Sequence, residues 1–206
     1  MHKILYFSKT AYITSQNLKP LLNNYTNPDD FISRMVKSGK LIRLKKGFFV
    51  ISEKIEENKV PYEQIANLLY GPSYISLEWA LSYYQMIPEG VYVITSVVSN
   101  KSKNFSTPIG TFDYSYLNHK RYSIGIDQQE NKTGRFLIAT PEKALADLVY
   151  FKCRKISAKE LLVDLIESRR IDEDILKKLN KNHLLEIAEK YCSSAVNNLV
   201  NVLGML

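Results

Sequence analysis

The sequence predicts a protein of the α+β class, and three observations lead to this prediction. Helical signals and two short β-prone runs fill the first fifty residues, alternating or β-rich runs dominate the middle, and apolar stripes at helical spacing dominate the last fifty. The 206 residues are 45% hydrophobic and 24% charged, which is typical of a folded globular protein and excludes disordered, collagen-like and coiled-coil classes. We expect a larger C-terminal part with a small, mostly antiparallel sheet and a helical C-terminal tail.

A short first helix is predicted where Thr14 or Ser15 can act as the N-cap. Pro20 lacks a backbone donor and its ring clashes with the preceding turn, so this helix must be short or kinked. Its apolar side chains are Leu18, Leu21 and Leu22.

A second helix is more clearly indicated. Asn27 can cap it, Pro28 suits its first position, and the acids Asp29 and Asp30 favour the positive end of the helix dipole. Gly39 provides a C-cap, so we expect the helix to end just before it.

This second helix has one apolar side and one polar, basic side. The apolar side comprises Phe31, Ile32, Met35 and Val36, and the opposite side comprises Asp30, Ser33, Arg34 and Lys37. For Asp30, a capping arrangement with Asn27 is favoured over a contact with cytosine.

The run KLIRLKKGFFVI follows directly and contains two short β-prone segments joined through Lys45, Lys46 and Gly47. This pattern predicts a β-hairpin with bases at its tip. Helix, turn, helix and basic hairpin, in this order, predict an N-terminal winged helix-turn-helix.

The net charge is concentrated in the same segment. The first fifty residues hold nine of the 28 Lys and Arg but only two of the 21 Asp and Glu. Their net charge is therefore +7, the same as the formal net charge of the whole chain. The other 156 residues hold 19 bases and 19 acids. Such asymmetry favours contact with nucleic acid or a membrane surface through the N-terminal segment, whereas a solvated basic face without a partner is the simpler alternative.

A helix of this kind fits the major groove while a basic hairpin lies along the phosphates. Arg34 can offer two parallel donors to guanine, and Ser33 can contact base acceptors. The candidates for phosphate contacts are Lys37, Lys40, Arg43, Lys45 and Lys46.

A domain boundary is predicted in the polar segment SEKIEENKVP, which ends at Pro61. Residues 1–57 would form the DNA-binding domain, and residues 58–206 would form the second domain.

In this second domain, helices are predicted in EQIANLLYG, SLEWALSYYQMIP and ATPEKALADLVYF, the last one capped by Thr140. Strands are predicted in VYVITSVV, GTFDYSYL, RYSIGI and GRFLIA, with turns in SNKSKN and DQQENKTG between them. Trp79 and Tyr83 are expected in the core, with a stacking platform as the alternative.

The C-terminal tail is predicted to be helical. Ser157 and Glu160 have the spacing of a capping box, and one long helix is expected from Leu184 to about Leu203. Its apolar stripe predicts burial against the sheet, with a partner groove or a dimer seam as the alternative. Cys192 beside the stripe is expected to be a small buried hydrophobe.

The sequence predicts no catalytic, metal or cofactor site, and therefore no enzyme. His2, His119 and His183 lie in unrelated contexts, and no glycine-rich phosphate loop occurs. Asp172 and Asp174 have the DxD spacing of nucleotidyltransferases, but acids at a helix start are expected from the dipole alone.

Two cysteines without a CxxC motif, and the absence of a signal-peptide core or a long apolar run, predict a cytoplasmic protein with no membrane contact.

Three blocks together, KSGKLIRLKKGFFV, YISLEWALSYYQMIPE and ATPEKALADLVYF, resemble the AbiEi-type antitoxins of type IV toxin–antitoxin systems, which occur in bacterial phage-defence (abortive infection) loci. The resemblance covers roughly residues 13–151. It implies a winged helix that represses its own operon by binding inverted repeats in double-stranded operator DNA. It also implies a C-terminal domain that counteracts a separate nucleotidyltransferase toxin without a stable complex. The implied DNA contacts fall on the seven residues already selected.

The leading hypothesis is therefore an autorepressing antitoxin. The first alternative is a winged-helix transcription factor whose C-terminal domain senses a small ligand. The second is a nucleic-acid-processing enzyme, which would require metal-dependent turnover at Asp172.

Overall fold

The basic N-terminal segment folds as a strand, two helical segments and a hairpin. The computed structural model describes residues 10–23 and 25–206, so His2 lies outside the described residues. The elements are β1 (Tyr12–Thr14), α1 (Ser15–Leu18), α2 (Pro28–Lys37), β2 (Leu41–Lys45) and β3 (Phe48–Ile51). Strand β3 pairs antiparallel with both β1 and β2, which gives a three-stranded sheet in the order β1-β3-β2.

The first helix is short, as predicted. The side chain of Thr14 accepts a hydrogen bond from the backbone N–H of Asn17 at 3.2 Å, and α1 has a single turn. A 3-10 turn replaces it over Lys19–Leu22, where Pro20 cannot donate the α-helical hydrogen bond.

The second helix has the predicted N-cap, and its C-cap lies one residue before the predicted Gly39. Asn27 Oδ1 accepts from the backbone N–H of Asp30 at 3.4 Å, and Asn27 Nδ2 donates to the Asp30 carboxylate at 2.8 Å. The capping role predicted for Asp30 is thus confirmed. Ser38 is the C-cap, and Gly39 follows it with φ +71°, a left-handed conformation that costs glycine little.

The N-terminal sheet has an apolar cluster on each side. The cluster facing α1 and α2 contains Ile13, Leu18, Leu22, Phe31, Ile32, Met35, Leu41, Phe49 and Ile51. On the other side, Leu44, Phe48 and Val50 belong to the main core of the protein. A continuous core therefore crosses the position of the predicted domain boundary.

After the hairpin come the short helix α3 (Ser52–Glu56) and α4 (Tyr62–Leu69). The main sheet contains β4 (Ser73–Ile75), β5 (Ile94–Val98), β6 (Lys103–Thr107), β7 (Gly110–Tyr116), β8 (Ile126–Asn131) and β9 (Gly134–Ala139). Helix α5 (Leu77–Tyr83) lies between β4 and β5 in the chain, and α6 (His119–Tyr122) lies between β7 and β8.

This sheet is larger than predicted and it is mixed, with three antiparallel and two parallel strand pairs. Its six strands are ordered β6-β7-β5-β4-β9-β8, and the pairs β5/β7 and β4/β9 are parallel. The segments predicted as turns contribute to β6 and β8, and RYSIGI is not a strand: its first two residues end α6, the next three form a bend, and only Ile126 lies in a strand. Strands β6 and β8 lie at the sheet edges, where polar residues replace the apolar alternation that reveals a strand, and the short central strand β4 was not predicted either.

The aromatic pair on α5 is less buried than predicted. Trp79 is half-buried and Tyr83 is 38% exposed, and their rings stack at a centroid distance of 5.6 Å. The two rings therefore border the core instead of lying inside it.

The remaining helices are α7 (Pro141–Lys152), α8 (Ala158–Val163), α9 (Glu173–Lys177), α10 (Lys181–Tyr191) and α11 (Ser194–Met205), with a π-helical turn over Asp164–Ser168. The Thr140 cap and the Ser157–Glu160 capping box are present as predicted. No helix in the described ranges is long and apolar enough to cross a bilayer.

The single long helix predicted near the C-terminus is in fact two helices. Cys192 has φ +46°, a left-handed conformation that ends α10. The predicted apolar stripe is buried on both helices, but Cys192 itself is exposed because it lies in the connection.

Candidate nucleic-acid interface

The exposed face of α2 carries three of the predicted site residues. Ser33, Arg34 and Lys37 are all exposed, while the opposite face of the helix is buried against the N-terminal sheet. An open groove follows this face, lined by Tyr25, Thr26, Asn27, Asp30, Ser33, Arg34 and Lys37. The amphipathic pattern of the helix thus determines which side chains reach solvent.

A second groove separates α2 from the tip of the hairpin. It is lined by Ser15, Lys19, Asp29, Ile32, Ser33, Arg43, Lys46, Gly47 and Phe49. Ser33 borders both grooves, so the helix face and the hairpin form one surface. Lys40 is exposed in the connection between α2 and β2 but lines neither groove.

Six exposed residues form what we call the basic surface: Ser33, Arg34, Lys37, Lys40, Arg43 and Lys46. None of its five cations forms an ion pair with a carboxylate in the part of the chain that the structure describes, whereas the neighbouring Lys19 pairs with Asp29 at 3.0 Å. The Arg43 guanidinium lies 5.6 Å from the centre of the Phe49 ring. The surface therefore presents uncompensated positive charge, which attracts a polyanion.

Lys45, the seventh predicted site residue, lies apart from this surface. A β-bulge interrupts the hairpin: Arg43 pairs with Phe49, whereas Lys45 already pairs with Phe48, which leaves Leu44 as the extra residue. Strict alternation would place Lys45 on the same side as Arg43, but the bulge turns it to the side of Phe48, which faces the main core.

The ammonium group of Lys45 is already bound within the protein. Its Nζ donates a hydrogen bond of 2.5 Å to the backbone carbonyl of Leu69, at the end of α4, and lies 6.0 Å from the centre of the Phe48 ring. Burial, together with the positive charge of Lys103, lowers the pKa of Lys45. Lys103, on the edge strand β6, was not selected from the sequence because its segment was predicted to be a turn.

A buried polar cluster lies between β4, α7 and α10. The Asp147 carboxylate accepts hydrogen bonds from Tyr74, at 3.0 Å, from Ser76, at 2.7 Å, and from Tyr191, and forms an ion pair with Lys143 at 3.3 Å. Lys143 also donates to the Arg121 carbonyl and to the Tyr191 hydroxyl.

All donors and acceptors of this lysine and this carboxylate are used, and both side chains are 0% exposed. Burial lowers the pKa of Lys143, an effect that Asp147 opposes. The cluster therefore has the features of a structural ion pair that joins α7, β4 and α10, since no atom of the pair is left to bind a ligand.

The other titratable residues singled out from the sequence have local roles. Asp172 caps α9 by accepting from the backbone N–H of Asp174 at 2.8 Å, and the described residues contain no cluster of three or more His, Cys, Asp or Glu that could hold a metal. His119 is exposed. His183 lies 3.3 Å from the carboxylate of Glu142, a pairing that sequence could not reveal across 41 positions.

Comparison with known proteins adds no relative: no family model matches this chain, and no curated protein matches it. A functional proposal therefore depends on the residues and their geometry.

Proposed function

We propose that this protein binds double-stranded DNA through an N-terminal winged helix-turn-helix formed by residues 1–57. The observation that carries the proposal is the basic surface, where five exposed cations, none paired with a carboxylate among the described residues, lie on one helix face, the adjoining hairpin and the connection between them. In this arrangement α1 and α2 are the two helices of the motif, and β2 with β3 is the wing. The pairing of β1 with β3 supports it, because it attaches the wing to the strand that precedes the helices.

The proposal gives each residue a role that its position allows. Helix α2 lies in the major groove, where Arg34 donates to guanine and Ser33 contacts a base edge or a sugar-phosphate oxygen. Lys37 lines the same groove as Arg34, whereas Arg43 and Lys46 line the groove beside Ser33. These three cations contact phosphates, while Lys40 contacts the backbone at the periphery.

We further propose that the DNA is the protein's own operator with inverted repeats, and that the protein is a cytoplasmic antitoxin of a type IV system. Support for this comes from the three sequence blocks that resemble AbiEi-type antitoxins, two of which form α5 and α7 of the C-terminal part. Residues 58–206 would counteract a nucleotidyltransferase toxin without forming a stable complex with it.

The DNA-binding part of the proposal is tested by fluorescence anisotropy with the DNA upstream of the gene. We expect tight binding of that fragment, weaker binding of a scrambled fragment of equal length, and loss of the difference for a variant with Arg34→Ala and Lys46→Ala. Equal affinity of the variant and the unaltered protein for the upstream fragment would contradict the proposed interface.

The antitoxin part has a separate test in cells. Co-expression with a nucleotidyltransferase toxin encoded beside the gene should restore growth, and the variant with Arg34→Ala and Lys46→Ala should restore it equally well, because its C-terminal part is unaltered. No rescue by the unaltered protein would contradict the antitoxin proposal while leaving the DNA-binding proposal in place.

An apolar cleft supports a ligand-sensing transcription factor as the second candidate. The apolar lining of this cleft consists of Leu81 of α5, Leu148 of α7 and the loop residues Ile87 and Val91, and its polar lining consists of Glu78, Glu89, Ser168 and Arg169. A ligand sensor would change its DNA affinity when a small molecule fills the cleft, whereas an antitoxin would bind DNA without a small molecule. Titration of the protein–DNA complex with cell metabolite extract, in the absence of any toxin, distinguishes the two.

A further inference from the structure

We propose that Lys45 is a positioning residue, which fixes the tip of the hairpin to the C-terminal part of the protein, and that it does not contact DNA phosphate. The inference rests on the proposed DNA-binding function. It assigns different roles to two adjacent lysines, Lys45 and Lys46, that sequence alone treats as equivalent.

The bulge at Leu44 turns Lys45 toward the C-terminal part of the protein. Leu44 is buried in the main core, together with Phe48 and Val50, so this side of the hairpin faces the C-terminal part of the protein. Because Lys45 pairs with Phe48 after the bulge, its side chain follows the same side. Arg43, before the bulge, stays on the side of Phe49 and lines the groove beside α2.

The acceptor of the Lys45 hydrogen bond is a backbone carbonyl at the end of a helix. Leu69 is the last residue of α4, and carbonyls in the last turn of a helix lack an intrahelical partner. They also lie at the negative end of the helix dipole, where a cation is stabilised. The 2.5 Å hydrogen bond from Lys45 therefore satisfies a group that would otherwise need water.

The groups around Lys45 differ from those around Lys46. Lys103 lies close enough to Lys45 for its charge to act on it. Its Nζ is 5.4 Å from the centre of the Tyr70 ring and 4.8 Å from the centre of the Phe105 ring. Reaching a phosphate would require Lys45 to release the Leu69 carbonyl and to leave the Phe48 ring. Lys46 has no such contacts in the described part of the chain, is exposed and lines the groove beside α2.

The position of the hydrogen bond between Lys45 and the Leu69 carbonyl explains why it matters for DNA binding. Lys45 is the last residue of β2, immediately before the two-residue turn Lys46–Gly47. Holding Lys45 against α4 restricts the backbone on both sides of it, so Arg43 and Lys46 are held at a defined distance from α2. Residues preorganised in this way bind with less loss of entropy.

The test compares Lys45→Met with Lys46→Met in the full chain, and measures operator affinity between 50 and 300 mM salt, roughly the range in which phosphate contacts dominate. Methionine keeps an unbranched apolar side chain of similar length and removes the charge. For Lys46→Met, the slope of log affinity against log salt should become shallower by about 0.9, the value for one phosphate. For Lys45→Met, the slope should stay unchanged while affinity falls about tenfold at every salt concentration.

A second readout does not need DNA. Amide hydrogen exchange in residues 43–48 of the free protein should become about tenfold faster in Lys45→Met, and should be unchanged in Lys46→Met. The variant Lys45→Gln, neutral but still a donor, guards against misfolding of the Met variant, and should keep the slope of the unaltered protein with a smaller loss of affinity.

A slope that becomes shallower by about 0.9 in both Lys45 variants would overturn the inference, because it would show a phosphate contact. Unchanged affinity and unchanged exchange in Lys45→Met would also overturn it. If the unaltered protein does not bind its upstream DNA, the proposed function fails. The exchange experiment still decides whether Lys45 restrains the tip of the hairpin.

Discussion

Arg34 and Lys37 lie on the same exposed face of α2, one helical turn apart, yet their chemistry predicts different contributions to DNA binding. The planar guanidinium can donate two parallel hydrogen bonds to the edge of a guanine, so it can distinguish base pairs. The ammonium group of a lysine acts as a point charge toward phosphate, which is the same in every sequence. The residue scale therefore separates specificity from affinity on one helix face.

We predict that Arg34→Ala weakens binding by about 1–3 kcal/mol at a single base position and relaxes the preference there. Lys37→Ala is the matched control, and should weaken binding to all sequences by a similar factor. Competition titrations against operators with one substituted base pair each provide the measurement. An equal loss across all operators for Arg34→Ala would contradict base contact by this residue.

At the scale of single elements, strong local signals predicted the structure well. The N-cap Asn27, Pro28 in the first turn and Gly39 after the last turn define α2 within a residue or two, because each acts within a few positions of the helix end. The edge strands β6 and β8 were missed because their polar residues face solvent, and their strand conformation depends on β7 and β9.

The candidate site shows the same division between local and distant causes. The exposed face of α2 follows from helical periodicity, so Ser33, Arg34 and Lys37 could be selected from the sequence. The bulge at Leu44 could not be predicted, because it depends on how the hairpin packs against α4. The local pattern of hydrophobic residues in the hairpin does not show this tertiary contact. Lys45 was therefore grouped with Lys46, although the two side chains have different surroundings.

The cap of α2 leads to a prediction for this element. Asn27→Ala removes the side chain that accepts from the Asp30 N–H, so the free energy of unfolding should fall by about 1 kcal/mol. Asn23→Ala, at an exposed position just before, is the matched control and should change it by less than about 0.5 kcal/mol. Urea unfolding followed by circular dichroism measures both. Equal stability of the two variants would argue against the cap.

For the whole molecule, the main core and the buried Lys143–Asp147 pair connect distant parts of the chain. The core includes three hairpin residues, Leu44, Phe48 and Val50, together with α4, the main sheet and the C-terminal helices. The buried pair adds polar links between β4, α7 and α10. We therefore expect the described parts of the chain to unfold together.

Removing one partner of this buried pair should be strongly destabilising. Lys143→Met leaves the Asp147 carboxylate buried without its cation, and should lower the free energy of unfolding by about 3–5 kcal/mol. Asp147→Leu should have a similar effect. The double variant should lose less than the sum of the two single losses, because no charge is left unpaired. Additive losses in urea unfolding would show that the pair is not coupled.

Buried tyrosines predict loss of stability in alkali. Burial raises the pKa of the phenols of Tyr74, Tyr84, Tyr114 and Tyr191, and raises that of Tyr122 to about 12. A raised pKa in the folded state contributes stability that is present below the unfolded value of about 10 and is lost as pH rises above it. The lowered pKa values of Lys45 and Lys143 act in the opposite direction, but they are fewer.

The free energy of unfolding should therefore fall between about pH 10 and pH 12, the interval from the ordinary tyrosine pKa to the raised pKa of Tyr122. Tyr114→Phe should fall less steeply than the unaltered protein, because one buried phenol is removed. Urea unfolding at several pH values measures the slope, and a constant or rising stability over this interval would contradict the expectation.

The central claim, DNA binding through the basic surface, is tested most directly by the salt dependence of operator affinity. Four cations of this surface, Lys37, Lys40, Arg43 and Lys46, are assigned to phosphates, so log affinity against log salt should have a slope of about −3.6, at about −0.9 for each contact. Measured by anisotropy with the upstream DNA, such a slope supports the proposal, whereas binding that does not change with salt would contradict it.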